Sequence, residues 1–304
     1  MGWTPEAGWK SQGLLHLTVF IFGFTGILGK WISLDGVTLV WWRVLFAALC
    51  LFPFLLKAGV IPIKFWKMLF LSMATGLVVG AHWATFFQAI KISNVSVTLA
   101  SMSATTLFVA FLEPLFFRTK IGWMEPLVGI IIGFGLWMII GVVPQFETGI
   151  TVGLISASLS GIFTILNRKL ALTRTSGLFI AWGEMIGAWV GLGLCLIWWA
   201  PESLHTLPGG MDLFLTFVLG SICTAFTFAV TLKLLTKISA YSVVLAINLE
   251  PIYGFVLAAW IFNENQELSW TFYLGSLIIL GGILGYGLLK KPQNQEISSS
   301  DSSM

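Results

Sequence analysis

Apolar residues run through this chain in ten long stretches parted by short polar connections: residues 14–32, 37–56, 68–90, 94–117, 124–142, 149–169, 176–199, 211–232, 240–262 and 270–289. The hydrocarbon core of a bilayer takes about 20 residues of helix, so each stretch predicts one transmembrane span. The connections leave no room for a domain outside the membrane. After Lys290-Lys291-Pro292 the chain turns polar and serine-rich, which predicts a disordered cytoplasmic tail over 291–304.

One stretch breaks the pattern. The ninth carries Asn248, Glu250 and Pro251 near its middle. A carboxylate at the bilayer centre costs about 2.5–3.5 kcal/mol on the lenient insertion scale, so Glu250 is expected to face protein or water. Pro251 lacks the N–H that would bond the carbonyl of Ile247, and a kink is predicted there.

Composition agrees with the pattern. At 57% hydrophobic and 10% charged, the 304 residues cannot clothe a soluble domain, and the chain reads as an integral membrane protein. The first stretch has no cleavage-type ending and is expected to remain as the first span. Cys50, Cys195 and Cys223 lie in apolar runs without metal-type spacing and read as packing thiols. With the N-terminus placed in the cytoplasm, thirteen Lys and Arg fall inside, against Lys30 and Lys91 outside, with Arg43 within a span. That imbalance predicts both termini on the cytoplasmic side of the membrane.

The second half echoes the first. Lys91-Ile92-Ser93 returns as Lys237-Ile238-Ser239, and the same offset of 146 residues pairs Ser96 with Ser242, Leu99 with Leu245, Phe116 with Phe262 and Gly135 with Gly281. Upstream, Gly23-Phe-Thr-Gly-Ile-Leu-Gly-Lys30 matches Gly161-Ile-Phe-Thr-Ile-Leu-Asn-Arg168 at an offset of 138. The repeats are expected at 1–145 and 146–290, with five spans each. Five is odd, so the second copy must stand upside down relative to the first. Arg118 then pairs with Glu264, a cation facing the cytoplasm against an acid facing out.

Four stretches resemble the EamA-type transporters of the drug/metabolite transporter superfamily. They are the glycine-bearing first helix ending at Lys30; Trp41-Trp42-Arg43; Phe86-Phe87-Gln-Ala-Ile-Lys-Ile-Ser-Asn-Val-Ser-Val97; and Leu249-Glu-Pro-Ile-Tyr-Gly with Ile261-Phe-Asn-Glu264. The resemblance implies an all-α integral membrane fold of ten transmembrane helices in two inverted five-helix repeats. It also implies export of a small organic metabolite, such as an amino acid. The chain departs from the family at Thr105, where a proline is common, and at Arg118, where an acid is.

Within this frame the polar residues of the spans are the candidates. Glu250 is first for substrate or proton binding, with Asn248, His82, Trp83, Phe86, Thr98, Ser101, Thr105 and Tyr253 as further cavity residues. Glu184, Arg43 and Glu113 are candidates for coupling or gating. Each has a plainer reading: hydroxyls bond back to their own helix, a lone histidine bridges two helices, and Arg43 snorkels outward as readily as it binds an anion. Gly129-x-x-x-Gly133 and Gly281-x-x-x-Gly285 predict close packing of the fifth and tenth helices, or a homodimer contact.

The reading is a secondary transporter working by alternating access, with proton exchange at Glu250. No cofactor, metal or nucleic-acid partner is expected. An intramembrane enzyme acting on a lipid or prenyl group is the alternative, and its clustered acids or His/Cys ligands are not found in the sequence. Among transporters, a sugar or a nucleotide-linked metabolite is the other substrate class.

Overall fold

The computed structural model describes residues 9–60, 62, 64–118, 124–142, 144–173, 175–204, 207–236, 243, 246–247 and 249–289. Among these the secondary structure is helical, without strands. The first half comprises α1 (Trp9–Trp31), α2 (Gly36–Ala58), α3 (Phe65–Ile92), α4 (Val95–Met102), α5 (Thr105–Phe117) and α6 (Met124–Val142). The second comprises α7 (Glu147–Ala171), α8 (Gly177–Trp199), α9 (Gly210–Gly220), a π-helical turn (Ser221–Phe226), α10 (Thr227–Leu234), α11 (Glu250–Phe262) and α12 (Trp270–Leu289). Among the described residues seven helical stretches are long and apolar enough to cross a membrane, and three shorter apolar helices follow the remaining predicted spans. The predicted tail and Asn248 lie outside the described residues.

The helix ends follow local chemistry. The Asp35 carboxylate accepts from the N–H groups of Val37 and Thr38 at 2.9 and 3.1 Å, starting α2, and Gly59 at φ 59° stops it. Proline is not what interrupts the fourth span. The chain breaks at Ser103-Ala104, where Ala104 N–H reaches Ser101 O at 3.1 Å and Leu107 N–H reaches Ala104 O at 3.0 Å, the shorter 3₁₀ pattern. Hydroxyl residues crowd this point, and such side chains compete for backbone carbonyls: Ser101 Oγ donates to Val97 O at 2.9 Å and Ser103 Oγ to Leu99 O at 3.3 Å.

Pro251 also differs from expectation. It stands in the first turn of α11, where a missing N–H leaves nothing unpaired, and so it opens a helix rather than kinking one. Both α5 and α11 are 13 residues long, and both end on a left-handed residue, Arg118 at φ 54° and Asn263 at φ 55°.

Packing pairs the halves. α3 lies along α7 and α8, while α9, the π-helical turn and α10 lie along α1 and α2. α2 meets α8, α4 meets α11 and α6 meets α12. Exchanging α1 for α7, α2 for α8, α3 for α9 and α10, and α6 for α12 leaves the pairings among these elements unchanged. The tightest approach is between α3 and α8: a side chain at Gly76 would strike the backbone of Glu184, and one at Gly187 the backbone of Met73. The fifth and tenth spans do pack together, but through other glycines than the two motifs suggested. Gly135 faces the carbonyl of Gly275, and Gly282 faces Ile131, whereas Gly133, Gly281 and Gly285 look onto open space.

At one end of the bundle a single acid joins α1, α4 and the end of α11. Glu264, fully buried, accepts from Lys30 Nζ at 2.8 Å and Val95 N at 3.1 Å on one oxygen, and from Ser96 N at 2.9 Å and Ser96 Oγ at 2.7 Å on the other. It thereby caps α4 from another helix, placing a negative charge where the α4 dipole favours one. Asn94, the α4 cap in sequence, accepts from Val97 N at 2.8 Å and donates to Glu267 at 3.4 Å.

Candidate functional site

The two breaks, before α5 and before α11, flank a cavity of about 110 Å³ at the centre of the bundle, with room for several waters. Phe22 and Thr25 of α1, Arg43 of α2, and His82, Trp83 and Phe86 of α3 form one side. Ser160, Phe163, Thr164 and Asn167 of α7, with Phe228 and Thr231 of α10, form another. Ser103 and Thr105 at one break, and Glu250 and Pro251 at the other, complete it. Irregular backbone beside an interior cavity is where a membrane protein tolerates it.

Aromatic rings make the wall continuous. Trp83 meets Phe228 edge-on at 5.4 Å between centroids, Phe228 meets Phe163 at 6.3 Å, and Phe163 meets the His82 ring at 5.2 Å. Among the described residues, four of the lining side chains carry a buried polar atom without a hydrogen-bond partner: Thr25 Oγ1, Arg43 Nη1, Thr105 Oγ1 and Asn167 Oδ1. A mostly apolar cavity with a few converging polar groups is the usual form of a small-molecule site.

Arg43 is the buried cation of the site, 1% exposed, so it does not snorkel. Its Nε donates to Thr224 Oγ1 at 2.6 Å, and its guanidinium lies 4.2 Å over Trp83 and 5.3 Å over Phe87. Glu250 interacts with it electrostatically, yet the two form no ion pair. Arg43 and Glu250 therefore border the same cavity with no ion pair between them.

His82 bridges helices and borders the cavity together. Its Nδ1 lies 2.8 Å from Ser156 Oγ and 3.0 Å from Ser156 O, while Ser156 Oγ donates to His82 O at 2.9 Å. That leaves Nε2 as the ring nitrogen for the cavity.

The remaining candidates fall elsewhere. Thr98 and Ser101 are buried, donate back to Asn94 O and Val97 O at 2.9 Å, and do not line the cavity; Ser101 packs on Gly153 of α7. Tyr253 packs on Gly23 and meets Phe20 edge-on at 5.5 Å. Glu113 lies outside the cavity lining and interacts electrostatically with Arg168. Glu184 is fully buried behind Asn167, whose Nδ2 donates to Oε2 at 3.5 Å, while Oε1 has no partner.

Thr25, Ser103, Ser160, Thr164 and Asn167 were not singled out from sequence, and Glu264 was marked there only as the repeat partner of Arg118 and the end of a family-like stretch. A signal for several of them exists: the 138-residue offset lays Phe22 on Ser160, Thr25 on Phe163, Gly26 on Thr164 and Gly29 on Asn167. Both first helices of the repeats thus turn the same face to the cavity.

A helical bundle of two paired halves around a small, mostly apolar cavity with a few polar groups, built from helices that suit a bilayer, is the architecture of a multi-pass membrane transporter. The chain belongs to the EamA-like transporter family, whose sequence model matches it twice, over residues 10–141 and 147–288. Members of this family move small molecules across membranes. No curated protein matches the sequence. Among solved structures, one described as "Crystal structure of protein" is similar with a TM-score of 0.66, covering 92% of this chain and 97% of that one. At 14% identity, that likeness extends to the fold alone.

Proposed function

We propose that this transporter exports small amino-acid-like metabolites by alternating access, its two halves acting as inverted repeats, with a proton exchanged at Glu250. The observation that carries this reading is that Arg43 and Glu250, a base and an acid, line one cavity with no ion pair between them. A zwitterion fits them, its carboxylate against the guanidinium and its ammonium near the acid, with the aromatic wall receiving an apolar body. A nucleotide-linked substrate would bring several negative charges to a site lined by one arginine. In this reading the protein lies in the inner membrane with both termini in the cytoplasm, and the Lys30–Glu264 closure faces outward.

A carboxyl group that binds proton and substrate in turn gives export a pH dependence. Acidification on the outer side drives exchange, and strong acid on both sides holds Glu250 protonated and slows it. Uptake and efflux of a pooled amino-acid mixture in proteoliposomes, with and without an imposed pH gradient, tests this against Glu250→Gln. Gradient-driven movement of one class of zwitterion, lost in the variant, is expected. Transport with unchanged pH dependence in Glu250→Gln would remove the proton from the reading.

A further inference from the structure

We propose that the π-helical turn Ser221–Phe226 is a positioning device for Arg43, acting through Thr224, and that it aims the guanidinium at an anionic group of the substrate. This rests on the assignment of the cavity as the substrate site. The two charge-bearing sides of the cavity are held differently. Glu250 sits on a helix start, whereas Arg43 hangs from a hydroxyl on another span.

The geometry is specific. Thr224 is fully buried, and its Oγ1 both accepts from Arg43 Nε at 2.6 Å and donates to Leu219 O at 2.6 Å, five residues back. In an ordinary α-helix a threonine reaches the carbonyl three or four residues back. The five-residue reach needs the wider π turn, which inserts one extra residue and is found mostly at functional sites. At the head of the turn is Gly220. A side chain there would come within 2.6 Å of Arg43 O and 2.8 Å of Phe46 Cβ, so the two backbones touch beside the arginine. Trp83 and Phe87 cover the guanidinium. Nε is thereby engaged, and Nη1 is left without a partner. The counterpart span, α3, is one uninterrupted α-helix of 28 residues, so the extra residue belongs to this half alone.

An arginine so held presents its free edge in a fixed direction, the condition for reading a planar carboxylate. Losing the tether weakens binding of the anionic group before it affects turnover.

The test is transport in proteoliposomes by Thr224→Val, which keeps the shape and removes the hydroxyl, and by Thr224→Ser, which restores it. The substrates are an amino acid moved by the unaltered protein and its uncharged amide. Thr224→Val is expected to raise KM for the acid about tenfold, one hydrogen bond to a charged group, with little change in maximal rate and none for the amide. Thr224→Ser should recover most of the loss. Deleting Ile222, which is 52% exposed, removes the extra residue and should reproduce the Thr224→Val defect while leaving a folded, monodisperse protein. Equal KM for the acid in Thr224→Val and the unaltered protein, with Arg43→Lys still impaired, would overturn the tether and spare the substrate site. If Arg43→Lys transports the acid normally as well, the substrate reading itself is wrong.

Discussion

At the residue scale the membrane makes some side chains conspicuous and hides others. Arg43, His82, Glu184 and Glu250 could be picked from sequence because each is expensive in a bilayer, and three of the four line the cavity. Glu184 is the exception, with one buried oxygen partnered only at 3.5 Å and the other not at all. Glu184→Gln replaces that carboxyl with an amide that can both donate to and accept from Asn167. Its thermal unfolding midpoint in detergent is expected to rise, on the order of 1–3 kcal/mol of relieved desolvation. A fall of similar size would mean that the carboxylate is engaged by a group the cluster does not contain. Asn167 and Thr25 were not legible in the same way, since single amides and hydroxyls are ordinary within spans. Their place on the cavity was written only in the weaker of the two repeat registers.

At the element scale the helices were visible as apolar runs, and their interruptions were not. The break before α5 arises from Ser101, Ser103 and their neighbours bonding back to the helix, without the proline that would announce it. The π-helical turn has no residue signature at all. Conversely, Pro251 looked like a mid-helix kink because the apolar run continued through it, while it serves as a helix start. Thr105 holds the first position of α5, the place where proline is tolerated. Thr105→Pro is therefore expected to leave expression and thermal stability within about 0.5 kcal/mol of the parent, the range of a harmless substitution. Val109→Pro, one turn further into the same helix, should cost about 3 kcal/mol or more. Circular dichroism melts of the two variants separate the outcomes, and equal damage from both would mean that α4 and α5 behave as one helix.

At the scale of the whole molecule the two halves are joined through matched pairings, with the cavity at the seam. The helical bundle and the internal repeat were legible because apolar runs and their spacing repeat along the chain; the closure at one end was not. Glu264 reads in sequence as an acid facing out at the end of its span, yet it is fully buried and joins α1, α4 and the end of α11. Because four hydrogen bonds converge on this carboxylate and one of them comes from Lys30, Glu264→Ala should loosen the end far more than Lys30→Ala. The labelling rate of Thr105→Cys by an impermeant thiol reagent, with Cys50, Cys195 and Cys223 replaced by alanine, measures that loosening. Equal rates for the two variants would assign the closure to other contacts. The same acid gives the molecule a built-in gauge. Whenever this end parts, the amide protons of Val95 and Ser96 lose their acceptor and meet water, so their deuterium uptake clocks each opening with no label attached to the chain.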